Sequence, residues 1–157
     1  MFSHRPIATD DFEIICRFPS SAEELFYMAP TAAFPLSADA LRDIVAARES
    51  PTVLTWNNDP AAFASLYRCE AGQSCFIGNV IVAADQRGKG AARELVNAMM
   101  EIARDRFAAR DVRLSCFNGN TGGLLLYAKL GFTPYAVEER RNSQGDRLAL
   151  LHMRREL

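Results

Sequence analysis

Residues 84–92 read Ala-Asp-Gln-Arg-Gly-Lys-Gly-Ala-Ala, a polar turn with glycines at 88 and 90 and basic side chains at 87 and 89. Glycine populates positive φ and lets a ligand approach the main chain closely. The residues before the turn, Val80 to Ala84, form an apolar run suited to a buried strand, and those after it, Ala91 to Met100, have helical period. The first amides of such a helix have no partner within it, and its dipole favours an anion there. With Arg87 and Lys89 beside them, the chemistry is that of phosphate or pyrophosphate binding.

Two familiar phosphate loops do not fit. A Walker A loop needs a glycine where this chain has Ala83 and Ser or Thr where it has Gly90. A dinucleotide fingerprint counted from Gly88 and Gly90 needs Gly or Ala at 93, which is Arg93. Neither an NTPase nor a Rossmann dehydrogenase is supported.

The elements that must position this turn follow from periodicity. Asp10 or Asp11 caps a short helix through Phe12, Ile14 and Ile15; Ser20 or Ser21 caps "AEELFYMA"; Ser37 caps "ADALRDIVAARES". The first fifty residues are therefore expected to be helical. From Pro51 the period becomes that of strands. "TVLTW", "AAFASLYRC" and "SCFIGNVIV", separated by Asn57-Asn58-Asp59-Pro60 and Glu70-Ala71-Gly72-Gln73, predict an antiparallel meander. A helix from about Gly90 to Phe107 buries Leu95, Val96, Met99, Ile102 and Ala103. The strand "DVRLSCF", the helix "TGGLLLYAKLGF" ending at Gly131, and a hairpin of "FTPYAVEER" and "DRLALLHMR" complete the chain. The expected fold is α/β, a mixed, mostly antiparallel sheet of six to seven strands with helices on both faces.

Bulk properties narrow the class. The chain has 157 residues, 49% hydrophobic and 24% charged, with a net charge of -1. This predicts one ordinary globular domain over 1–157, and it gives no electrostatic reason to expect nucleic acid or a membrane as partner. Neither an apolar signal region nor a membrane span is legible, so the expected compartment is cytoplasmic. Cys16, Cys69, Cys75 and Cys116 lack paired metal spacing, with only His4 and His152 to assist, and read as reduced structural thiols. Cys69 and Cys75 flank a predicted hairpin turn. No metal is expected.

Arg87-Gly88-Lys89-Gly90-Ala91-Ala92 resembles the R/Q-x-x-G-x-G/A signature of the GNAT family of N-acetyltransferases, and "NGNTGGLLLYAKLGF" resembles its downstream segment, with Asn120, Tyr127, Gly131 and Phe132 in register. The resemblance covers residues 51–154 and implies a GNAT fold. Residues 51–157 would bind acetyl-CoA, and 1–50 would lie on the acceptor side. It implies that amides from Arg87 through Ala92 (Arg87, Gly88, Lys89, Gly90, Ala91, Ala92) hold the pyrophosphate. Val80, Ile81 and Val82 would offer backbone groups to the pantetheine arm and acetyl carbonyl, Asn120 would bond the pantetheine, and Tyr127 would sit near the sulfur. Gly122-Gly123 departs from the family's better helix formers and predicts a loose first turn.

Acetyl transfer to an amine needs a base for an amine of ordinary pKa about 8 to 10, donors for an oxyanion, and a proton for the leaving thiolate. The resemblance puts the amide of Val82 or a neighbour at the oxyanion and Tyr127 at the thiolate. The base stays open among Glu138, Glu139 and a water held by Asn79 or Ser115. In the family's ribosomal-protein alanine acetyltransferases a glutamate lies five residues before the motif asparagine, and here that residue is Ser115. Glu23, Glu24, Asp39 and Asp43 suit a cationic acceptor or serve as helix caps, while Phe26, Tyr27 and Phe34 line a pocket or fill the core. The expectation is an N-acetyltransferase acting on a small-molecule or peptide amine, as monomer or homodimer. The alternative is a non-catalytic acyl-CoA-binding sensor or scaffold.

Overall fold

Asn57 and Asn58, both at positive φ (49° and 74°), make the tight turn between strands β2 (Glu49–Trp56) and β3 (Asp59–Glu70). This computed structural model describes all 157 residues. β3 pairs in turn with β4 (Ser74–Val82), so the meander forms as the alternation predicts. The helix α4 (Ala91–Phe107) carries the chain back to β5 (Asp111–Phe117), which runs parallel to β4. The helix α5 (Thr121–Lys129) ends at Gly131 in the left-handed region (φ 88°) and leads to the hairpin of β6 (Thr133–Arg141) and β7 (Arg147–Glu156). β7 inserts between β5 and β6. Together with β1 (Phe2–Pro6) the strands form a seven-stranded sheet in the order β1-β2-β3-β4-β5-β7-β6.

Adjacent residues of each strand serve opposite cores, as a pleated sheet requires. Leu54, Ala62, Ala64 and Leu66 pack with Leu95, Val96, Met99 and Ala103 of α4. Val53 and Phe63 pack on the other face with Ile15, Leu25 and Leu41, which come from α1 (Phe12–Ile15), α2 (Ala22–Met28) and α3 (Ala38–Ala46). Ser21 and Ser37 cap α2 and α3 by accepting from the amides of Glu24 and Ala40, both at 3.1 Å.

One expectation fails. Residues 2–6 were to be helical with the rest of the first fifty, yet they form β1, antiparallel to β2. The stretch Phe-Ser-His-Arg-Pro has no apolar face of its own. Its strand form comes from the free edge of β2 and from Phe2 packing against Trp56, tilted by 60° with 4.8 Å between ring centroids.

β1 is also tied by charge. Arg5 grips the Asp11 carboxylate with two nitrogens at 2.7 and 3.0 Å, and the Ala8 amide donates to it at 2.7 Å. The Arg5 hydrogen bonds hold the Asp11 carboxyl below its ordinary value against the opposing effect of burial. Asp11→Ala is expected to cost about 2 kcal/mol, less than the about 3–5 kcal/mol of a fully buried pair, because Arg5 is half-exposed. Because the native value is depressed, the pair stabilises the fold above the unfolded carboxylate's pKa near 4. That stability fades as pH falls through the native value. Thermal melts of both proteins at pH 7 and below about 3 check this, with the gap closing in acid. A gap that persists in acid would assign the loss to packing.

Candidate functional site

The site is set by a bulge and a fork in the sheet. Between the pairs Phe63↔Ile81 and Ser65↔Gly78, β4 carries one residue more than β3, and Asn79 sits there at φ 57°. The extra residue reverses the faces. Ile81 joins the core under α1 to α3, whereas Val80 and Val82 turn toward α4, opposite to what strict alternation from Cys75 and Ile77 would give. Asn79 secures the bulge by donating from Nδ2 to the Met28 carbonyl (3.0 Å) and accepting at Oδ1 from Ser65 Oγ (2.9 Å). The pairing of β4 with β5 ends at Ile77↔Leu114. Beyond it the strands part, leaving the β4 backbone from Gly78 to Val82 unpaired on that side.

A cleft of about 400 Å³ fills the fork's outer end, and Val80, Ile81, Val82, Arg87, Ala92, Asn120 and Tyr127 line it. Gly88, Lys89, Gly90 and Ala91 form the turn at its rim, outside that lining. Gly88 and Gly90 have φ of 75° and 88°, and a Cβ on either would meet no protein atom within 4 Å, so the space before the turn is open. Gly90 is the N-cap of α4 and no side chain caps it, which leaves the helix's first amides without acceptors. This arrangement fits a diphosphate.

Arg87 differs from the sequence expectation in its partner. Its guanidinium holds both carboxylate oxygens of Glu24 on α2, at 3.1 and 2.6 Å, and leans on the Val82 carbonyl at 3.3 Å. The Arg87 hydrogen bonds draw Glu24 below its ordinary value. Glu24 also accepts from the Ser20 amide at 3.2 Å, so it is a helix cap and a strap to the turn. Lys89 remains exposed and forms no ion pair.

Of the glycine pair in α5, Gly123 has a local reason, while a Cβ on Gly122 would meet nothing within 4 Å. Asn120 caps the helix by accepting from the Gly123 amide at 3.1 Å, and a Cβ on residue 123 would come within 2.8 Å of the Asn120 amide nitrogen. Gly123 thus makes room for the cap. Tyr127, one turn on, is 7% exposed and meets Phe132 edge-on at 5.9 Å. Burial, helped by the nearby Cys116 thiol, pushes its hydroxyl well above the ordinary tyrosine range.

A second cavity, about 610 Å³, occupies the other side of the fork. Tyr27 lines both cavities. Here Ser115 Oγ lies 2.6 Å from His152 Nδ1, and His152 Nε2 lies 3.0 Å from Glu138 Oε1. Arg140 and then His152 draw the Glu138 carboxyl below its ordinary value, so it is an anion at neutral pH. An anion at Nε2 selects the tautomer protonated there, which leaves Nδ1 to accept from the Ser115 hydroxyl. The chain of groups is polarised toward Ser115.

Of the base candidates, Ser115 and Glu138 belong to this chain of groups. Glu139 is on the opposite side of β6 and is bound by Arg147. Both ends of the Asn79 amide are already engaged. His152 was not among the sequence candidates for the base. Its signal was a polar residue inside the apolar run "LALLHM", and it gains meaning only from the register that sets it opposite Ser115. The four cysteines are free thiols, and burial raises Cys116 to about 11, so it is no nucleophile at neutral pH. No group of three or more His, Cys, Asp or Glu side chains is placed to hold a metal. No helix is long and apolar enough to cross a membrane.

The chain and its fold have counterparts among known proteins. The model of the acetyltransferase (GNAT) family matches residues 14–132. The uncharacterized N-acetyltransferase YobR of Bacillus subtilis is 32% identical over 65 residues, and the match spans 41% of this chain but only 26% of that protein. Among solved structures, the ribosomal-protein-alanine N-acetyltransferase of Brucella melitensis superposes with a TM-score of 0.79 at 22% identity, covering 99% of both chains. The spermidine N-acetyltransferase of Vibrio cholerae, solved with CoA and spermine, gives 0.80 at 17% identity over 99% of this chain and 95% of that one. At these identities the superpositions speak to the fold alone, a mixed α/β sheet with helices on both faces as the residue pattern predicts.

Proposed function

The chain belongs to the acetyltransferase (GNAT) family, and from that premise we propose that it transfers the acetyl group of acetyl-CoA to a primary amine of a small molecule or peptide. The observation that carries the proposal is the fork between β4 and β5. It joins a cleft suited to a diphosphate and a thioester arm to a cavity holding a polarised proton acceptor.

In this reading the amides at the start of α4 hold the diphosphate, and the unpaired backbone of Val80 to Val82 orients the arm and donates to the developing oxyanion. Asn120 has its amide nitrogen free to bond the arm. Acetyl-CoA supplies the activated acyl group. The attacking amine must be neutral. Its proton passes to Ser115 Oγ, directly or through a water, as Ser115 gives its own proton to His152 Nδ1. Glu138 stabilises the imidazolium that results.

Release of free thiol from acetyl-CoA across amines, amino acids, polyamines and peptides tests the activity. Affinity for acetyl-CoA without turnover on any acceptor would instead make the chain an acyl-CoA-binding module. His152→Gln tests the relay within the same assay, because the amide can bridge Ser115 and Glu138 but cannot take a proton. A loss of about 10²-fold in kcat/KM is expected near neutral pH, at the low end for a general base. The loss should shrink as pH rises past the amine's own pKa, where solvent removes the proton. A defect of constant size at all pH values would make His152 a packing residue.

A further inference from the structure

The cavity around Ser115 is positively charged beyond what its relay requires. Arg48, Arg68 and Arg140 line it, and Glu138 is its one carboxylate. Glu138 is already bound by Arg140 and His152. Arg48 and Arg68 form no ion pair with any residue.

Arg48 is the unusual one. Its guanidinium lies 4.2 Å over the Tyr67 ring, and its Nη1 is shielded from solvent with no hydrogen-bond acceptor in the protein. Gly78 makes the space for this arrangement, since a Cβ there would come within 2.8 Å of the Tyr67 ring and 3.2 Å of that nitrogen. Burial pulls Arg48 below its ordinary value, with Tyr67 opposing. A guanidinium does not give up its proton in a protein, so Arg48 stays charged with a donor that no acceptor of the chain meets.

We infer that the acceptor amine carries an anionic group, a carboxylate foremost, which docks on Arg48 with Arg68 as the second charge while the amine faces Ser115. This rests on the acetyl-transfer reading above. A planar guanidinium offers a carboxylate two parallel hydrogen bonds, which would also fix the direction of the amine. A polyamine would instead bring like charge into a cavity that already has an excess of it.

Matched pairs isolate the anion: L-amino acids against their α-amides, O-phosphoethanolamine against ethanolamine, and spermidine as the cationic comparator. An α-amide's amine is less basic than the free acid's, so more of it is neutral and intrinsic reactivity favours the amide. A preference for the acid must then come from recognition. For at least one pair the anionic member is expected to lead by about 10- to 100-fold in kcat/KM. Arg48→Met should remove that lead mainly through KM, and Arg48→Lys should restore part of it. Thermal melts and CoA affinity establish that each variant is folded, and Arg48→Gln replaces the Met variant if that one is not. A preference for amides or spermidine, or an unchanged ratio in the folded variant, overturns the inference. If no amine turns over, the acetyl-transfer reading fails separately. Calorimetry of the same pairs on the CoA-loaded protein then decides: selective binding of the anions, lost in Arg48→Met, sustains the anion site, and equal or absent binding ends it.

Discussion

Gly90→Val is expected to abolish measurable CoA binding while the protein stays folded. At φ 88° residue 90 is in the left-handed region, where a β-branched side chain is strained by about 1–3 kcal/mol. The strain should appear as a modest fall in melting temperature, because no protein atom within 4 Å opposes the new side chain. The branches instead occupy the open space before the first amides of α4. Displacing two amide-to-phosphate hydrogen bonds of about 1.5–3 kcal/mol each weakens binding by at least about 100-fold. Calorimetric titration of CoA into the folded variant measures this. An unchanged affinity would mean that the turn at 87–92 does not hold the phosphates.

That turn was legible because all its chemistry is local. Glycine at positive φ, a helix start and a preceding apolar strand are written within a dozen residues, and so are the caps at Ser21 and Ser37. The features that needed the structure depend on long-range register. β1 takes its form from the edge of β2, across a separation of some fifty residues, and nothing in Ser-His-Arg announces it. The partnership of Arg87 with Glu24 joins two elements whose approach no local pattern encodes. The relay is the clearest case. Ser115 and Glu138 were each identified as candidates, but the imidazole between them comes from a third strand that inserts between β5 and β6. The bulge at Asn79 behaves likewise. The side-chain period along β4 suggests a regular strand, and one extra residue exchanges its faces where the cleft begins.

Tyr127→Phe is expected to lower kcat by about 10² or more while leaving CoA affinity and thermal stability nearly unchanged. The stability half follows from the environment of the hydroxyl. The ring is buried against Phe132 and lines the cleft, yet its oxygen makes no hydrogen bond to the protein, so removing it strands no buried partner. The kinetic half follows from where the proton is held. An ordinary thiol titrates near 8.5 and an ordinary phenol near 10, and burial raises Tyr127 further, so it keeps its proton throughout the physiological range. Full transfer to a thiolate from so weak an acid is uphill. The role proposed for the hydroxyl is therefore to aim a hydrogen bond at the sulfur as charge develops there, beside a ring that is itself buried, where such a bond counts most. The effect on kcat should accordingly be flat with pH from 6 to 9, unlike that of His152→Gln, because Tyr127 does not titrate in that interval. A Phe variant with full kcat would retire Tyr127. Tyr135 lines only the cavity around Ser115, with Arg113 over its ring, whereas Tyr27 lines both cavities and is the phenol to test in its place.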